Sequence, residues 1–144
     1  MKDKDIRETS VCQKLANGLD LVMTFKRIHA AGDRYQVIFE AVINVGIRKE
    51  YLEHEMLGDI KPDDVRRLLG ERTTYIYSKT RNFIAGSEKE DVLENLKQQF
   101  LDTGFSYISS PVFPLKLIRR SYMTAVKEEM IRLKREEFLK PPAL

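Results

Sequence analysis

The chain contains no tryptophan, one cysteine, two histidines and no glycine-rich phosphate loop, and each shortage excludes something. A single cysteine, Cys12, cannot close an internal disulfide, which fits a reducing compartment. A structural metal site takes about four ligands and a catalytic one about three. His29 and His54 stand far apart, and neither has a second histidine three or four residues away. No metal and no cofactor is therefore expected, and His54, between Glu53 and Glu55, reads as a surface residue. Asp63-Asp64 could pass for paired carboxylates, but acids just after Lys61-Pro62 are what the first turn of a helix prefers. No catalytic residue is assigned, and the reading leans away from an enzyme. No apolar run approaches the roughly 20 residues needed to span a membrane. The opening Met1-Lys2-Asp3-Lys4-Asp5 lacks the apolar core of a secretory signal. A cytoplasmic protein with no membrane partner is the expectation. The net charge of +3 is too small to announce a nucleic-acid binder, so any basic function has to come from local clustering.

What is present is a chain of 144 residues, the size of one ordinary domain able to bury a core unaided. Its longest apolar-rich stretch runs over residues 19–45 and breaks at Ala31-Gly32-Asp33. Tyr35, Val37, Phe39, Ala41, Ile43 and Val45 share one parity, while Gln36, Glu40 and Asn44 take the other. Before the break, Leu19, Leu21, Met23 and Phe25 alternate in the same way. Period two with β-branched and aromatic residues predicts a half-buried hairpin, burying Phe25, Val37, Phe39 and Ile43 together. The rival is a helix from Asp33, with Asp33 and Gln36 as a capping box. The fold class expected is α+β: one domain over 1–144, an antiparallel sheet begun by this hairpin and covered on one face by helices. A mostly helical chain is the alternative.

Around the hairpin, Ser10 and Gln13 have capping-box spacing, and Asn17-Gly18 offers a stop. These predict a short first helix carrying a buried, inert Cys12. Residues 47–57 read as a helix or an irregular crossover. Pro62 to Leu69 reads as a helix closed by Gly70, and Thr73 to Ile84 as a strand. Ser87 and Glu90 predict a capped helix burying Val92, Leu93, Leu96, Phe100 and Leu101 and ending at Thr103-Gly104. Phe105 to Ser109 then reads as a short strand, ended by Pro111 and Pro114.

Residues 62–85 resemble the helix-turn-helix of many DNA-binding regulators, with Val65, Leu69, Gly70, Thr73 and Ile76 at its apolar, glycine, cap and apolar places. The resemblance covers about 20 residues. It implies that Thr74, Tyr75, Ser78, Lys79 and Arg81 would lie on or near a recognition helix and meet bases or phosphates. Nucleic acid is thus a second, less favoured partner class.

The last helix, over residues 114–140, is the sharper feature. Leu115, Ile118, Tyr122, Met123, Val126, Met130 and Leu133 recur at threes and fours. Eight basic residues interleave with four acidic ones, which suits a solvated face better than a phosphate-tracking one. A helix of ~25 residues spans almost 40 Å, longer than a compact domain of this size usually covers. The expectation is a protein-interaction or regulatory domain. It would bind a protein partner, or a second copy as a homodimer, through Tyr122, Met123, Val126, Met130 and Leu133. An enzyme whose groups converge only in the fold is the third reading.

Overall fold

A computed structural model describes residues 6–140. The chain is an α+β fold whose sheet has four strands in sequence order: β1 (Ile6–Lys14), β2 (Asp20–Ala31), β3 (Arg34–Gly46) and β4 (Arg72–Ala85). Between β3 and β4 lie α1 (Lys49–Leu52), a 3-10 turn (Glu55–Leu57) and α2 (Pro62–Leu69), and after β4 come α3 (Lys89–Ile108) and α4 (Phe113–Leu139). Two compact units divide these elements. The first comprises residues 6–44 and Thr74–Phe113, the second Val45–Thr73 and residues 114–140.

In the first unit, β1 and β2 pair antiparallel with Val11 opposite Met23, and β2 and β3 pair antiparallel with Phe25 opposite Phe39. β4 lies antiparallel beside β3: the Thr74 hydroxyl donates to Asn44, and the Gln36 amide donates to Asn82, both over 2.8 Å or less. Because side chains alternate along a strand, the register places Leu21, Met23, Phe25, Val37, Phe39, Ala41 and Ile43 on one buried face. That is the face expected from the alternation. Phe39 is its hub, with ring centroids 5.5 Å from Phe25, 5.7 Å from Phe100 and 6.3 Å from Tyr77. α3 supplies Leu93, Leu96, Phe100 and Ile108 to the same core. The turn between β2 and β3 needs Gly32, whose φ is +54°. The Gly86 amide donates to the Asp33 carbonyl, and a Cβ at Gly86 would sit 2.5 Å from the Asp33 carboxylate.

Four expectations fail in this unit. The first helix does not exist: residues 6–14 are strand β1, and Asn17-Gly18 makes the hairpin turn to β2, with Gly18 at φ +87°. Nine consecutive pairings with β2 outcompete a capping box that had little apolar face to support it. Cys12 is consequently exposed, not buried. Nor does α3 stop at Thr103-Gly104. It runs through the residues expected to form a strand, ending at Ile108. Its last carbonyls have partners there: Asn17 donates to the carbonyls of Ile108 and Ser110 at 2.8 and 2.9 Å, and the Ser109 hydroxyl donates to Phe105 at 2.7 Å. Satisfied helix ends and the burial of Ile108 outweigh the roughly 1 kcal/mol that an interior glycine costs. Ser87, finally, makes no cap, and the helix starts without a side-chain cap bond.

In the second unit, Pro62 opens α2 with Asp63 and Asp64 in its first turn, and Gly70 follows at φ +74°. Residues 47–57 divide into α1 and the 3-10 turn. The buried apolar side chains of this unit are Val45, Leu52, Leu57, Ile60, Val65, Leu115, Leu117 and Ile118.

The helix-turn-helix is overturned. Thr74, Tyr75, Ser78, Lys79 and Arg81 all belong to strand β4, so this segment holds no recognition helix. A run of β-branched and aromatic residues from Thr73 to Tyr77 favours a pleated surface, and β3 offers the edge to pair with.

Candidate functional site

α4 is 27 residues long, and ion pairs fasten it within the second unit as far as Glu129. Arg119 donates two hydrogen bonds to the Asp59 carboxylate, at 2.8 and 2.9 Å, and a third to the Met56 carbonyl at 3.0 Å. This bidentate contact holds the Asp59 carboxyl down at about 2. Nearly three turns of helix further, Arg67 of α2 donates to Glu129 at 2.7 Å; the hydrogen bond and charge hold the Glu129 carboxyl below, and raise the Arg67 guanidinium above, their ordinary ranges. Thr73 donates to Ser121 at 2.7 Å.

Beyond Glu129 the helix is bare. Every residue from 130 to 140 is exposed. Of the five residues expected to meet a partner, Tyr122 and Val126 are half-buried, while Met123, Met130 and Leu133 are 54%, 53% and 50% exposed. Ile131, Phe138 and Leu139, which the stripe left out, are exposed as well. Met123, Val126, Met130 and Leu133 follow at steps of three, four and three, so they fall along one side of the helix.

A second surface, which sequence reasoning missed, lies along β1 in the first unit. A groove of about 450 Å³ is lined by Arg7, Glu8, Thr9, Arg27 and Glu90. It leads on to one of about 230 Å³ lined by Thr9, Val11, Phe25, Leu93, Glu94 and Lys97 among others. Arg27 is not a free anion-binding group. It donates to Glu90 at 2.6 and 2.8 Å, to Thr9 at 3.0 Å and to the Phe25 carbonyl at 3.1 Å, which leaves little of the guanidinium for a ligand. Its hydrogen bonds hold the Glu90 carboxyl below the usual carboxylate range.

Among the described residues the two histidines do not gather with other chemistry-bearing side chains. His29 bonds the Gly32 carbonyl at 2.6 Å across its turn, and His54 accepts from the Met56 amide at 3.1 Å, so both histidines close turns. Among the described residues no three His, Cys, Asp or Glu side chains group closely enough to hold a metal ion. No described helix is long and apolar enough to cross a membrane. On β4, Tyr75 packs on Phe113 and Thr74 is bonded to Asn44. No protein-family model, curated protein or solved structure matches this chain.

Proposed function

We propose that the chain is a protein-interaction domain whose contact element is the exposed apolar side of the second half of α4. One observation carries this reading: a helix anchored by Arg119–Asp59 and Arg67–Glu129 continues for three further turns with Met130 and Leu133 exposed on the same side as Met123, and with Ile131, Phe138 and Leu139 exposed elsewhere around it. Contiguous apolar side chains left in solvent are the kind of surface that marks a partner-binding site. Methionine is flexible and polarisable and adapts to the surface it meets. The flanking charges are mixed in sign, with Glu128, Glu129, Glu136 and Glu137 among the basic residues, which suits a protein partner better than a phosphate backbone.

The test compares the wild-type chain with the double variant Met130→Glu, Leu133→Glu by light scattering, alone over a concentration series and after incubation with extract of the source cells. A wild-type species heavier than any the double variant forms under the same conditions, with the melting temperature unchanged, is the expected result. The same mass for both proteins under both conditions contradicts it.

A further inference from the structure

We infer that β1 is the seam of a twofold dimer: its free edge pairs antiparallel with β1 of a second copy of this chain, centred on Val11. The outer edge of β1 has no strand beside it among the described residues, and eight of its nine residues are exposed. An open edge is a template for another strand, and natural sheets blunt such edges with lysine, proline, bulges or twisted backbone. The two edges of this sheet differ in that respect. β4 carries Lys79, Arg81 and, at Phe83, a left-handed backbone with φ +59°. β1 is regular, its nine pairings with β2 running without a shift. From Thr9 to Gln13 it has no charge and no proline.

The sequence of β1 is also self-complementary in one register. With Val11 opposite Val11 of the second copy, Glu8 falls opposite Lys14 and Lys14, which also lies 2.8 Å from Asp20 of its own chain, opposite Glu8, so the twofold axis sets the opposite charges facing twice. Val11 is 52% exposed and lines the groove it shares with Phe25 and Leu93. Two such valines meeting at the axis cover the mouth of that groove from both sides. A random extended peptide would gain the backbone ladder but not the paired charges, and for that reason the occupant is a second copy. This surface shares no residue with the α4 stripe and stands independently of it.

Thiol cross-linking reads the register. In a Cys12→Ser background, Val11→Cys places two thiols directly across the axis, with Cβ atoms about 4.5–5.5 Å apart. Gln13→Cys places its pair roughly 14 Å apart, four residues of strand away. A cross-linker reaching about 8 Å should couple the first variant into a covalent dimer in minutes and leave the second monomeric. Adding Met130→Glu and Leu133→Glu should leave the first result unchanged. Val11→Lys, which sets like charges on the axis, should raise the dimer dissociation constant roughly tenfold or more without changing the circular dichroism. Equal cross-linking at 11 and 13, loss of the cross-link in the α4 double variant, or a wild type that stays monomeric through a concentration series would each overturn the inference.

Discussion

Phe39→Ala is the perturbation that asks most of the fold. The Phe39 ring is fully buried at the centre of the first unit and touches three other aromatic rings, from β2, β4 and α3. Removing it takes away the transfer free energy of the ring and leaves a void between elements that already pair tightly, so the surroundings can close on it only in part. Phenylalanine truncations at such positions cost about 3–5 kcal/mol. Each kcal/mol lowers the melting temperature of a domain this size by a few degrees, which makes a drop of roughly 10–20 °C. Thermal unfolding followed by circular dichroism measures it, with Tyr35→Ala, only half-buried at the end of the same face, as the milder comparison. An unchanged melting temperature for Phe39→Ala would show that the core is not organised around this ring and that the β2–β3 register is wrong.

Other consequences follow from single contacts. Asn17→Ala removes both donors that close the end of α3 and should cost about 1–2 kcal/mol, with faster hydrogen exchange confined to the last turn of that helix. Phe83 is 80% exposed with a positive φ, so Phe83→Gly should leave stability unchanged or raise it by up to about 1–2 kcal/mol in denaturant titration; a clear loss would mean the ring is engaged. The Asp59 carboxyl is lowered from 3.8 to about 2 in the folded chain. The stability it contributes is therefore complete above about pH 4 and disappears as pH falls towards 2. Asp59→Asn should lower the melting temperature at neutral pH and flatten its fall across that window.

The hairpin of residues 19–45 was legible because one of its faces is buried, and burial imposes alternation on β2 and β3. Strand β1 was not, because it is exposed along nearly its whole length and no apolar period marks it; Thr9, Val11 and Gln13 against Ser10 and Cys12, followed by Asn17-Gly18, were the faint signs of a strand and turn. The end of α3 was hidden for another reason. Thr103-Gly104 is a local stop signal, and it yields to Asn17, a residue some 90 positions away whose amide reaches the last carbonyls. Tertiary contacts of that kind leave no trace in a window of sequence. The stripe on α4 could be read because helical spacing survives whether its residues meet a core or solvent. Only the structure separates Tyr122 and Val126, half-buried, from Met130 and Leu133, half exposed. The groove beside β1 depends on recognising β1 first, and so it escaped notice.

The claim that the second half of α4 is a contact element is met most directly by a photo-reactive amino acid placed at position 130, with the same group at the exposed position 49 of α1 as a control. Illumination of each protein, pure and in extract of the source cells, followed by mass spectrometry of the adducts, gives the answer. The account predicts a discrete cross-linked product from position 130, lost when Leu133→Glu is added, and none from position 49. Diffuse labelling of equal yield from both positions would contradict it.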